Sequence, residues 1–249
     1  MKRLKSIVLL LLIIAVVVFG VMAGVHYHKL SCEEVSVVVV SPSGNSPFTS
    51  HKAEKLIAKS GSNPVGQRMS KVNREALAAA LQRDPWFDHI ESTAAEGGKL
   101  VLTVAAKSPV AWVFPNDGSE PLILTDNGQL LPDDSTCQRL PVISGNIAAD
   151  SKVKKATPLY EAYLTARAIA ADSTYSAQYP QIFVRDDGQI ELYSVLGDHT
   201  VLIGDASDIG DKLANLDAAY TNGILATNTY KSLDLRFHNR VYATKNETN

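Results

Sequence analysis

Arg83 to Trp112 reads RDPWFDHIESTAAEGGKLVLTVAAKSPVAW. Pro85 disfavours the helical region for Asp84 and cannot continue a helix, so the helical periodicity ahead of it has to stop there. A strand is expected next, with Trp86 and Ile90 on one face and Asp88 and His89 in water. Glu96-Gly97-Gly98 supplies a turn, after which Leu100, Leu102 and Val104 alternate with period two. The pattern is a helix feeding a β-hairpin. At Lys107-Ser108-Pro109-Val110-Ala111-Trp112 the proline removes a ladder donor, so one sheet should end and a second begin.

Upstream, Glu33 to Val40 (EEVSVVVV) suits a buried strand, and Ser41-Pro42-Ser43-Gly44-Asn45 breaks it. Thr49 or Ser50 can cap a helix carrying Ala53, Leu56 and Ile57, which Gly61 closes. Val72, Ala76, Leu77, Ala80 and Leu81 repeat at helical spacing up to the Pro85 stop. The order is β-α-α-β-β, two helices on one face of a three-stranded sheet, with the other face and an edge left for partners. Trp86 and Trp112 each have two readings, a plug in the core or an anchor for a partner.

The chain has 249 residues with a net charge of −2. That balance gives no drive toward nucleic acid. Cys32 and Cys137 are too few for a disulfide scaffold and too far apart in sequence for a zinc finger or redox pair; whether they pair with each other is left open. At the start, Ile7 to Val25 is unbroken and apolar, behind Lys2, Arg3 and Lys5. About 19 residues at 1.5 Å each match the roughly 30 Å hydrocarbon core. The charge bias predicts a single span with residues 1–6 in the cytoplasm, type II, and the bulk of the chain outside. The rival is a signal peptide cut ahead of Gly24, for which the apolar run is long. Gly20 and Gly24 form a GxxxG pair that would let another helix approach.

Past Lys107, Leu122-Ile123-Leu124 and Gln129-Leu130-Leu131 flank Asp126-Asn127-Gly128, a hairpin signal. Thr157 can cap a helix to about Ala171 with Leu159, Tyr163, Ala166, Ile169 and Ala170 facing a sheet. Ile182-Phe183-Val184 and Gln189 to Leu192 flank a second turn at Asp186-Asp187-Gly188, and Thr200 to Ile203 is a further strand. A helix from about Asp208 carries Ile209, Leu213, Leu216 and Tyr220 and ends at Asn222-Gly223. Strands at Ser232 to Phe237 and Arg240 to about Lys245 complete the sheet. The fold class is α+β: transmembrane helix 7–25, β-α-α-β-β domain 33–106, mixed β-sheet domain with flanking helices 107–245, and tail 246–249.

No set of residues for catalysis can be assembled. The chain lacks His-Glu-x-x-His, Gly-x-Ser-x-Gly, a phosphate-cradling glycine loop and EF-hand spacing. No enzyme, cofactor, metal or small-molecule substrate is therefore expected. His26 and His28 have no third ligand nearby, and Asp186-Asp187 reads as turn residues. Asn246-Glu247-Thr248 matches a glycosylation acceptor. In the strand Leu233, Leu235, Phe237, Arg236 falls on the opposite face with Asp234, where a salt-bridged solvent face and a partner contact both fit.

Several motifs together carry a resemblance: Asp84-Pro85-Trp86-Phe87, Pro109-Val110-Ala111, Leu124-Thr125-Asp126-Asn127-Gly128, Leu140-Pro141-Val142-Ile143-Ser144-Gly145 and Ser232-Leu233-Asp234-Leu235-Arg236-Phe237. In this order behind one span, they resemble the FtsQ/DivIB family of bacterial cell division proteins, with the first domain resembling its POTRA domain. The chain departs from the family pattern at Ala106-Lys107-Ser108, at Phe237 where tyrosine is usual, and at His238-Asn239-Arg240, which lacks the expected glycine.

The resemblance implies a non-enzymatic scaffold in the cell inner membrane, periplasmic in bulk and placed at the division septum. Its implied partners are FtsB- and FtsL-like division proteins and other divisome components, leading on to septal peptidoglycan synthesis. The terminal strand offers an unpaired edge for such a partner, and the expected contact residues are Arg236, Phe237, His238, Arg240, Val241 and Tyr242. The alternative is a POTRA-bearing component of protein translocation or outer-membrane assembly.

Overall fold

The computed structural model describes residues 2–29, 31–41, 50–133, 139–148, 152–223 and 230–246, in two compact units, 1–106 and 107–249. The first begins with helix α1, Lys2–Lys29, about 42 Å long at 1.5 Å per residue. Its described side chains, 10–24, are all exposed. Among the described residues no helix is long and apolar enough to cross a membrane.

After α1 come β1 (Glu34–Val40), α2 (Ser50–Lys59), a 3₁₀ turn (Met69–Lys71), α3 (Arg74–Leu81), β2 (Phe87–Glu96) and β3 (Lys99–Ala106). β3 is the centre of a three-stranded sheet ordered β1-β3-β2. The two-residue Gly97-Gly98 turn makes β2 and β3 antiparallel, whereas β1 reaches β3 only over both helices and so lies parallel to it. Leu100, Leu102 and Val104 alternate into the core as expected, each 3 % exposed or less, and Ala53, Ile57, Leu77 and Leu81 of the two helices are buried as well. The breaker at 42–45 and Thr49 lie outside the described residues.

Three local readings change. The valine run is not a buried strand: β1 is a sheet edge, only Val37 is buried, and Val38 is 48 % exposed. α3 stops at Leu81, ahead of the Pro85 barrier, and starts on a cap the sequence reading passed over, Asn73 Oδ1 accepting from the Ala76 N–H at 3.0 Å. Trp86 precedes the strand rather than opening it. Asp84 Oδ1 accepts its N–H at 3.0 Å, Lys52 pairs with Asp84 at 2.9 Å, and Trp86 and Phe87 are both buried at this corner. Trp86 is a core plug. Bulges then break the alternation of β2, which leaves Ile90 half-buried.

The second unit holds β4 (Pro109–Val113), β5 (Leu122–Thr125), β6 (Leu130–Pro132), β7 (Val142–Gly145), α4 (Pro158–Ala170), α5 (Ser173–Gln178), β8 (Gln181–Val184), β9 (Ile190–Tyr193), β10 (Thr200–Gly204), α6 (Ile209–Thr221), β11 (Tyr230–Asp234) and β12 (Tyr242–Lys245). They form one nine-stranded mixed sheet, ordered β12-β11-β10-β9-β8-β7-β4-β5-β6. Thr157 caps α4 as expected, its Oγ1 accepting from the Tyr160 N–H at 3.2 Å. Leu159, Tyr163, Ala166 and Ile169 face the sheet, but Ala162 rather than Ala170 completes the stripe.

α5 escaped the sequence reading because six residues carry no periodic stripe. Its one signal was Asp172, whose Oδ1 accepts from the Thr174 and Tyr175 N–H groups. The glycine of the Leu-Pro-x-Ile-x-Gly motif has a steric cause. Gly145 sits at φ +103°, and a Cβ there would lie 2.1 Å from the Val184 carbonyl oxygen on β8.

Candidate partner-binding edge

The outermost strand is held by a short chain of cause and effect that starts on β10. A bulge between Leu202 and Gly204 puts Gly204 at φ +76°, and a Cβ there would come within 2.8 Å of Arg236 Cγ. Only glycine lets the Arg236 stem lie across the end of β10. Leu235 is 1 % exposed and donates its N–H to the Leu202 carbonyl at 2.9 Å, which fixes the chain on either side of it.

Arg236 is then forked onto Asp234. Its Nε donates to Oδ1 at 2.9 Å and its Nη2 to Oδ2 at 2.6 Å, while Nη1 reaches Gln189 Oε1 at 2.9 Å. The guanidinium holds the Asp234 carboxyl below its usual range, and the carboxylate in turn raises Arg236. Of its two sequence readings, Arg236 satisfies the salt-bridged one. It does so off the strand, because β11 ends at Asp234 and not at Phe237.

The chain reverses at His238-Asn239, where Asn239 takes φ +55° and Arg240 donates its N–H to the Phe237 carbonyl at 3.2 Å. Asparagine fills the place of the missing glycine because it tolerates this region. β12 begins at Tyr242, two residues later than expected. It pairs antiparallel with β11, Leu233 opposite Ala243 and Asp234 opposite Tyr242. Val241, just before it, turns inward and packs on the core.

Phe237 and Tyr242, 52 % and 47 % exposed, meet edge-on with ring centroids 4.9 Å apart. Arg240 Nη1 lies 3.4 Å from the Tyr242 hydroxyl. The hairpin thus gathers Phe237, Arg240 and Tyr242 into one exposed cluster, leaves His238 exposed at the turn, and assigns Arg236 and Val241 to holding it in place. All four residues of β12 are exposed. Among the described residues no strand lies beyond it in the sheet, so one row of its backbone groups is open to a further strand.

The supporting residues Gly204 and Gln189 were not legible beforehand, since nothing in their local sequence says which strand ends meet Arg236. Elsewhere in the unit, His199 is 4 % exposed with Nε2 hydrogen-bonded to the Tyr220 hydroxyl at 2.8 Å, and burial pushes its pKa down. Burial and then the hydrogen bond to Asp217 push Tyr175 up to about 12. These groups tie α6 to the loop ahead of β10 and to α5. Among the described residues no three His, Cys, Asp or Glu side chains come together as a metal site. Cys32 is a buried thiol bonded to the Glu34 carbonyl at 3.5 Å, and Cys137 lies outside the described residues.

Compared with known families, residues 108–244, more than half of the chain, match the family described as FtsQ/DivIB, C-terminal related. The chain belongs to the FtsQ/DivIB family. Residues 30–105 match a POTRA-like domain, the β-α-α-β-β unit described above. No curated protein matches the chain. Membership makes the chain a cell-division scaffold in its class, from a family of non-enzymatic division proteins. The FtsQ/DivIB match runs into β12 itself, ending at Thr244, so most of the open edge strand lies within the matched region.

Proposed function

We propose that this protein is a membrane-anchored divisome scaffold that captures an FtsB-like strand on β12 and, through it, an FtsL-like partner. The observation that carries the reading is the open outer side of β12, with all its side chains exposed and the Phe237–Tyr242 ring pair beside it. An added strand would gain main-chain hydrogen bonds along β12, and its alternate side chains would meet the aromatic pair. Arg236 serves by fixing the hairpin; two of its five N–H groups are left over for a partner carboxylate.

α1 is the proposed anchor, on its full sequence rather than on the side chains described at 10–24. Its sequence from Ile7 to Val25 contains no charged residue, and three of the four flanking basic residues precede it, which favours a cytoplasmic N-terminus and a periplasmic bulk. The domain limits 33–106 and 107–245, the inner-membrane location and the septal site belong to the same proposal. A pull-down of the FtsB–FtsL-like pair from the same organism on the detergent-solubilised full chain tests it. Capture by the native chain and loss on truncation after Phe237 support it; undiminished capture by the truncated chain overturns it.

A further inference from the structure

At the opposite side of the sheet from β12, the ends of β4 and β6 and the starts of β5 and β7 form an open groove of about 760 Å³. Trp112, Phe114, Leu122 and Val142 line it, with Phe114 43 % exposed. Pro121 and Pro132 complete its walls, and Glu120 and Asp133 stand at its rim. No lysine or arginine lines it. In a chain with nearly balanced charge, two carboxylates and no cation among the lining residues make the rim locally negative beside an apolar surface.

The walls also limit how an occupant can bind. β6, the edge strand here, is three residues long and ends on Pro132. With proline at Pro121 and Pro132, two of the wall residues carry no N–H, so ladder formation of the kind available at β12 is curtailed. Recognition has to come from rings packing on rings and from charge. A chain already extended as polyproline II requires no ladder, loses little entropy on docking and suits aromatic-lined grooves.

We infer that this groove is a second docking site, independent of the β12 edge, for a short proline-containing segment of a partner protein that carries an arginine or lysine. The prolines of the segment pack on Trp112 and Phe114, and its cation meets Glu120 and Asp133 across the rim. The charge of the groove excludes an acidic segment.

The test is fluorescence anisotropy on the detergent-solubilised full chain, with labelled peptides Ac-Pro-Leu-Pro-Pro-Arg-Pro-NH₂, its Arg→Glu version and a Gly-Ser version of the same length. The arginine peptide should bind at least about tenfold more tightly than the glutamate peptide, and more weakly as salt rises. Glu120→Lys should reverse the preference and Phe114→Ala should weaken both peptides, with far-UV melts showing both variants folded. Capture of the FtsB-like strand by Glu120→Lys should be unchanged. Equal affinity for the arginine and glutamate peptides, no binding of any peptide, or a preference that Glu120→Lys leaves in place overturns the inference. So does sedimentation showing that the native chain self-associates and that Phe114→Ala abolishes it, which would make the occupant a second copy.

Discussion

The ring of Phe237 meets that of Tyr242 at 4.9 Å and an interplanar angle of 71°, across a turn of four residues. The pair ties the loop that leaves β11 to the first residue of β12, so the aromatic cluster and the open edge form one surface. Two half-exposed aromatics held edge to face give contact area at low entropic cost, as binding anchors do. Phe237→Ala and Tyr242→Ala should each weaken capture of the FtsB-like strand by on the order of tenfold or more, with little change in melting temperature. The double variant should cost less than the sum, because each ring positions the other. Strictly additive losses in a titration would show that the rings act separately.

Main-chain pairing predicts a period of two. In an antiparallel edge strand, successive N–H groups point alternately toward the neighbour and away from it. Proline placed in turn at Tyr242, Ala243 and Thr244 should therefore alternate in effect. Where the N–H faces outward, binding should fail while the melt is nearly unchanged; where it faces β11, the melt should fall. Val241→Pro is a poorer probe than its position suggests, because Val241 packs on the core. Binding retained by all three folded variants would move the site off β12.

Asp234→Asn should loosen the hairpin by removing the negative charge and one of the two acceptor oxygens that Arg236 forks onto. Arg236 is 40 % exposed and Asp234 14 %, so solvent screening keeps the expected loss to about 1 kcal/mol or less. The carboxyl pKa is depressed in the fold. Its stabilisation is therefore complete above the unfolded value near 3.9 and disappears as the pH falls through the lower folded value. Urea melts of the native and Asp234→Asn chains should separate above pH 5 and draw together as the pH falls through the depressed folded value. Curves that stay parallel throughout would contradict the latch.

His199 makes a separate pH prediction. Burial lowers its folded pKa, partly opposed by Asp198. The unfolded chain then binds the proton more readily, so stability should fall as the pH drops from about 6.5 toward the folded value and level off below it. His199→Gln keeps a hydrogen-bonding group near Tyr220 and should flatten that part of the profile. An equally steep acid slope in the variant would assign it to other groups.

Gly145→Ala should cost at least about 2 kcal/mol, because the new Cβ would press into the Val184 carbonyl at a φ that alanine resists. A thermal melt within 2 °C or so of the native one would show that β7 and β8 can move apart without penalty.

Much of this architecture was legible because local rules and tertiary packing agree. Gly97-Gly98, Pro109, Thr157 and the Asp-Asn-Gly turn each act through backbone geometry or a single cap, and each acts where the sequence places it. Errors arose where burial depends on a distant neighbour. A run of four valines reads as buried, yet β1 lies at a sheet edge because β3 takes the centre. The strand through Leu235 and Phe237 alternates correctly in sequence but ends at Asp234, because Arg236 folds back onto Asp234 and Gln189. The candidate residues were found as a group, while their division of labour was not. Which of them touch solvent depends on Gly204, thirty-two residues away.

The central claim is that β12 receives a strand from a division partner. Amide hydrogen exchange of the full chain in detergent, with and without the FtsB–FtsL-like pair, tests it at the strand itself. Exchange should slow at alternate amides of Tyr242–Lys245 on adding the pair, and not at Leu130–Pro132 on the far edge. Binding of the pair with exchange at β12 unchanged would contradict it.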